Sequence, residues 1–253
     1  MNSSASTPDS RRRLIRRSSA PPAPDPQPLD KPWWATAVWS GLLAVIALAL
    51  MTWQVLVSGP FVAWDWSVHE YVDPHVPDGW LLFALDEVSN IGGQRQHTLP
   101  VLFAVGLWIA YKWRWFRPLI AICAGLATIF FIGYAIKFGL ARTPPADGID
   151  MLHGDGQAFP SGHTANATFT WIILVIVWLG PRGLHPDPVR FRRWLAIAGA
   201  WILVTSGLMV LLDYHWISDI PGGWALGALA TSVAVAVLNA PPTRVAQPSQ
   251  PEC

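Results

Sequence analysis

The sequence predicts an all-α, polytopic membrane protein with six transmembrane helices and short interfacial helices on the outer side. Three observations carry that prediction. Of 253 residues, 52% are hydrophobic and only 13% charged, about half the charged share of an average soluble chain. The apolar residues gather in blocks of about twenty, the length a helix needs to cross a hydrocarbon core of about 30 Å. The basic residues crowd into alternate loops, as they do when one end of each span faces the cytoplasm.

Residues 1–33 are rich in Pro and Ser and carry the run Arg11, Arg12, Arg13, Arg16, Arg17. So polar a stretch cannot bury enough apolar surface to fold, and it reads as a disordered basic cytoplasmic tail. It resembles the leading region of a secretory signal. The apolar block behind it, about Trp34 to Val57, is too long for a signal core and is followed by no small-residue cleavage site, so it reads as an uncleaved first span. Between Phe61 and Asp86, tryptophans alternate with acids, the composition of short helices at a membrane surface. Five further spans are expected at about Gly92–Tyr111, Leu119–Lys137, His163–Leu179, Trp194–Leu212 and Ser218–Leu238. Residues 34–240 thus form one six-span domain, and 241–253 a cytoplasmic tail. There is no internal repeat.

With six spans, both termini lie on one side. Fourteen of the 17 basic residues fall on that side, and only Arg95, Lys137 and Arg142 on the other; eleven of the 16 acids take the side of those three. The positive-inside rule makes the termini cytoplasmic and the chain an integral protein of the plasma (cytoplasmic) membrane. A net charge of +1 excludes a nucleic-acid partner, because phosphate backbones need a basic surface. The aromatic and basic residues 112–117 read as an inner interfacial belt. Two cysteines, Cys123 and Cys253, make neither a disulfide framework nor a zinc site.

The outer loops hold the chemistry. Lys137 and Arg142 stand at the end of the third span, followed by an acidic, Gly-rich stretch and then Pro160-Ser161-Gly162-His163. The next outer segment reads Asp213-Tyr214-His215-Trp216-Ile217-Ser218-Asp219. A helix N-terminus presents unpaired N–H groups and partial positive charge, a setting for phosphate. The Ser161 hydroxyl and the Gly162 N–H can face an anion there, glycine allowing close approach. Lys137 and Arg142 add charge-assisted hydrogen bonds. Pro221 cannot lie beyond the first turn of a helix, so the sixth helix should start near Ser218, leaving His215 just before it. Asp147, Asp150, His153 and Asp155 match no defensible ligand spacing, so no metal is assigned to them.

These motifs resemble those of the type 2 phosphatidic acid phosphatase superfamily, the membrane lipid phosphatases related to vanadium haloperoxidases. The resemblance spans about residues 35–240. It implies His215 as nucleophile, Asp219 as the group orienting its ring, and His163 as general acid; the phosphate-binding set would be Lys137, Arg142, Ser161 and Gly162. It also implies catalysis without a metal, so no cofactor is expected. Two departures stand out. The family's second basic residue usually falls seven after the Lys, where this chain has Pro144. Where the family has Ser-Arg before the His, this chain has Leu208 and Met209. Arg95, the third outward cation, either supplies part of the lost charge or anchors its helix at the interface; the sequence leaves both open.

The expected function is a metal-independent hydrolase, a membrane lipid phosphate phosphatase. It would cleave a phosphomonoester or diphosphate from a polyprenyl or phosphatidyl lipid at the outer leaflet, through a phosphohistidine intermediate. The acidic outer face implies a substrate arriving laterally in the bilayer, and no protein partner is expected. The alternatives are a lipid phosphotransferase using the same residues and an impaired family member acting as a binding or scaffold protein. A transporter fits less well, since the ionisable residues sit at span ends rather than near the midplane.

Overall fold

Small residues decide which helix takes the centre. Helix α8 (Asp219–Asn239) carries Gly222, Gly223, Ala225, Gly227, Ala230 and Ala234, all buried. A surface of small side chains lets several backbones approach at once, the usual currency of helix association in a bilayer. Three helices use it: α1 (Pro32–Leu56), α5 (Arg117–Leu140) and α6 (Gly162–Leu179) all pack on α8. Between α1 and α8 the contact is a hydroxyl pair, Ser40 Oγ to Ser232 Oγ at 2.9 Å. Helix α7 (Pro188–Leu211) packs on α6, and α4 (Arg95–Trp113) packs chiefly on α5. Where α4, α5, α6 and α8 converge, Leu102, Ile109, Ile122, Phe169, Ile173 and Leu226 form the main apolar core.

This computed structural model describes residues 32–240; the two expected tails lie outside them, apart from the first residues of α1. Among the described residues the chain is helical, with eight α-helices and two short 3-10 turns, Asp73–His75 and Pro145–Asp147. Helices α1, α5, α6, α7 and α8 are long and apolar enough to cross a membrane. Their outward faces are apolar too: Leu43, Phe131 and Leu203 are each 60% or more exposed. Such a surface is an aggregation hazard in water and an ordinary one in lipid.

Helix α4 stands apart from those five. It is 19 residues long, but Arg95, Gln96 and His97 open it and Lys112 lies in its last turn, which lowers its apolar character. Its start also differs from expectation. Gly92 and Gly93 are the last residues of α3 (Gly79–Gly93), and Gln94 breaks the helix in an extended conformation, its side chain accepting from the Arg95 N–H at 3.1 Å. The run from Phe61 is helical, as α2 (Ala63–Val72) and α3, but α3 is no mere surface helix: its end is buried against α6 and α7.

That end explains two glycines. A Cβ on Gly93 would stand 2.2 Å from the His163 carbonyl oxygen, and one on Gly223 would stand 2.7 Å from that of Ser161. Both contacts are with backbone, so neither neighbour can swing aside. Gly93→Ala is expected to lower stability by about 1–3 kcal/mol through overpacking, read as a fall in the thermal midpoint of the purified protein. Gly139→Ala, with open space around the new methyl, should not lower the midpoint.

The two ends of the bundle differ in charge. At one, Arg117 donates to the Ala240 carbonyl and Arg182 to that of Asn239, at 3.1 Å in the latter case. These are the free carbonyls that close α8, where a cation is favoured. The opposite end gathers the start of α6, the start of α8 and the end of α5.

Candidate active site

The N-terminus of α6 is built as the sequence suggests. Ser161 is its N-cap, the hydroxyl accepting from the Thr164 N–H at 3.4 Å, and the side chain is fully buried. The Ser161 N–H in turn donates to the backbone carbonyl of Asp219 at 3.2 Å. The starts of α6 and α8 are thereby locked together, and the Pro160–His163 turn meets the His215–Asp219 turn.

Helix α8 begins at Asp219 with Ser218 in the N-cap position, as Pro221 requires. The Ser218 hydroxyl does not cap, however. It donates to Asp65 Oδ2 at 2.6 Å and accepts from Arg142 Nη1 at 2.8 Å. His215 lies in the turn just before, and its Nδ1 is 3.3 Å from Asp219 Oδ2. Asp219 has no solvent exposure, and the Trp216 N–H also holds Oδ2, at 3.1 Å. A carboxylate so fixed selects the tautomer with the proton on Nδ1, leaving the Nε2 lone pair free. The preceding residues are braced separately: Asp213, in a left-handed conformation (φ 58°), meets His69 Nδ1 at 2.9 Å. Burial raises the Asp213 carboxyl above its ordinary value, with His69 pulling against it.

His163 follows Gly162 in the first turn of α6, and Asp86, Arg95, Lys137 and His215 all act on it electrostatically. Its Nε2 stands 3.3 Å from Asn90 Oδ1, while Asn90 Nδ2 donates to Asp86 Oδ2 at 3.0 Å. With its amide so oriented, Asn90 offers His163 only an acceptor, so Nε2 carries a proton. Asp86 also takes a hydrogen bond from Tyr214; that bond and, above all, burial raise the phenol above its ordinary value.

Lys137 is buried in the last turn of α5. Its Nζ donates to the Gln157 carbonyl, and a Cβ on Gly162 would stand 3.9 Å from its Cε. Lys137 and Gly162 share the polar end of a cavity of about 440 Å³ with Arg95, Tyr134 and Asn166; Leu99, Phe103 and Phe130 line its apolar part.

Arg142 goes elsewhere. Helix α5 ends at Leu140, and Ala141 takes a left-handed conformation (φ 42°) that turns the chain inward. The guanidinium is buried and all five of its N–H donors are spent. Nε and Nη2 clasp Asp150 at 2.8 and 2.7 Å, Nη2 also meets Asp65 at 2.6 Å, and Nη1 meets Ser218 and Asp219, each at 2.8 Å. In this arrangement Arg142, expected as a phosphate ligand, has no donor left for an anion. Burial raises the Asp65 carboxyl above its ordinary value, against the pull of Ser218 and Arg142.

The structure thus brings His215, Asp219, His163, Ser161, Gly162, Lys137 and Arg95 to one end of the bundle and sets Arg142 behind them. Sequence reasoning missed Asp65, Asn90, Asp86 and Tyr134. The spacing of Asp86 and Asn90, four apart on a helix, and of Tyr134 and Lys137, three apart, was a usable signal. Asp65, 77 residues from its arginine, offered none.

Residues 118–241 match the model of the PAP2 superfamily. That stretch belongs to the PAP2 superfamily. The match takes in the site end of α5, the start of α6 and the start of α8, which hold Lys137, His163 and His215. Among PAP2 relatives, phosphatidylglycerophosphatase B of Bacillus subtilis (strain 168) is 26% identical over 152 residues, 59% of this chain and 71% of its own length. A crystal structure described as the first transmembrane PAP2 type phosphatidylglycerolphosphate phosphatase, from Bacillus subtilis, superposes with a TM-score of 0.60. It covers 78% of this chain and 93% of its own at 20% identity, a likeness of fold.

Proposed function

We propose that this PAP2 protein is a membrane lipid phosphatase that acts through a phosphohistidine on His215. One observation carries the reading: a buried carboxylate, Asp219, holds the ring of His215 at 3.3 Å beside the helix start that bears His163. The phosphoryl group of the lipid sits at the α6 N-terminus, against the Gly162 N–H, the Ser161 hydroxyl and Lys137. His215 Nε2 attacks phosphorus, the phosphorus–oxygen bond to the lipid breaks, and the leaving oxygen takes a proton from His163. Asp219 stabilises the imidazolium character that develops on His215. Water then attacks the phosphohistidine, His163 takes its proton, and the phosphorus–nitrogen bond breaks to release inorganic phosphate.

The relative's name makes phosphatidylglycerol phosphate the first substrate to test, with polyprenyl phosphates and diphosphates beside it. The cavity supports a substrate that comes from within the bilayer, since its apolar part runs down α4 and α5 from the cations. Helix α4, packed on α3, α5 and α6, is the sixth span on this reading. The cation-poor end is then extracytoplasmic, and both termini are cytoplasmic. Arg142 is a brace for Asp219 and, through it, for His215.

Purified protein in detergent is expected to release inorganic phosphate from phosphatidylglycerol phosphate and to carry a base-stable, acid-labile phosphoryl group when quenched during turnover. An acid-stable adduct, or none under burst conditions, would refute the histidine intermediate. Release is expected to persist in EDTA; its loss there would assign a metal to the reaction. The pH profile should be bell-shaped, because one imidazole must be neutral while the other is charged.

A further inference from the structure

We infer that Arg95, fixed by Tyr134, supplies from α4 the phosphate-binding guanidinium that this chain lacks on α7; the inference rests on the phosphatase reading above. Phosphoryl transfer depends chiefly on fixed positive charge around the transferring oxygens. On α7, the positions where the family resemblance would place an arginine hold Leu208 and Met209, both buried. Arg142 is the nearest arginine in sequence to Lys137, and its five donors are spent on Asp65, Asp150, Ser218 and Asp219. Among the described residues, that leaves Arg95 as the arginine at the cavity.

Its placement is that of a ligand group rather than of an interface anchor. A snorkelling arginine extends its head toward water. Arg95 turns inward: Nη1 donates to the Tyr134 hydroxyl at 2.8 Å, and the guanidinium lies over the Tyr134 ring, 5.1 Å from its centroid. Tyr134 stands one turn before Lys137 on α5, so the two present to the same cavity. Arg95 also acts electrostatically on both Lys137 and His163, like charges kept together at an electrostatic cost. Among the described residues no carboxylate forms a salt bridge with it, and one of its five donors has a side-chain acceptor. A half-buried guanidinium beside a lysine, unneutralised and with donors to spare, is complementary to a dianion entering between them.

The test is a kinetic comparison of full-length variants in detergent, each checked for an unchanged thermal midpoint, with orthovanadate as a phosphate-like inhibitor. Arg95→Ala should lower kcat/KM for the lipid phosphate about 100-fold or more and weaken vanadate inhibition in parallel. Arg95→Lys should recover part of both, and Tyr134→Phe, which keeps the ring and removes the hydroxyl, should lose a smaller part of both. Where Arg95→Ala fails to fold, the Tyr134→Phe and Arg95→Lys results decide alone. Near-normal kcat/KM and vanadate inhibition in the folded Arg95 variants would overturn the inference. His215→Ala in the same assay separates the two readings: inactivity there beside a normal Arg95→Ala sinks only the arginine, whereas full activity in both sinks the phosphohistidine on His215 on which the inference rests.

Discussion

His215→Ala protein is expected to release inorganic phosphate from lipid phosphates about 10⁴-fold more slowly than the native protein, or not at all. Losing a nucleophile removes the covalent route entirely, and what remains is whatever binding and positive charge achieve alone. The substitution sits in an exposed-side turn and removes one bond to Asp219, which keeps those from Arg142 and the Trp216 N–H, so the protein should remain folded. His163→Ala should cost less, about 10²–10⁴-fold, and the loss should shrink for a substrate whose leaving group needs no proton, such as p-nitrophenyl phosphate. That contrast assigns attack to one ring and proton donation to the other. Equal losses with both substrates in both variants would undo the assignment.

Arg142→Ala is expected to destabilise the fold itself, by about 3–5 kcal/mol. The guanidinium is ringed by Asp65, Asp150 and Asp219, and its side chain and those of Asp65 and Asp219 have no exposure. Removing it leaves carboxylates uncompensated in a site that water does not reach, which is why breaking such a cluster costs more than forming it contributes. Arg142→Lys should rescue little, because an ammonium cannot span Asp150 and Asp219 as the planar fork does. The measurement is the thermal midpoint in detergent together with KM. A substrate ligand would leave the midpoint in place and raise KM. A brace lowers the midpoint and takes activity with it, since Asp219 loses the partner that fixes it against His215.

Arg142 also shows where sequence reading ends. Its charge and its place five residues after Lys137 suggested a second phosphate ligand. The helix stops at Leu140, and one left-handed residue sends the side chain the other way, to a carboxylate contributed by α2. The start of α8 is the opposite case. Pro221 fixes it to within a residue, because a ring without an N–H is tolerated only in the first turn. The second span was expected to start at the Gly92–Gly93 pair, but the break comes just after it, at Gln94, whose own side chain caps the next helix.

Local chemistry, then, is what the sequence by itself determined: the membrane-length helices, the polar end where phosphate chemistry could sit, and the start of α8, set by Pro221. Each depends on residues within a turn or two of one another or on a sum over a whole helix. Tertiary structure alone decided which cation faces the cavity and which is buried, and which amide orients His163. Those outcomes depend on Asp65 meeting Arg142, Asn90 meeting His163 and Tyr134 meeting Arg95. Such pairs are set by the packing of whole helices, and no spacing along the chain encodes that distance.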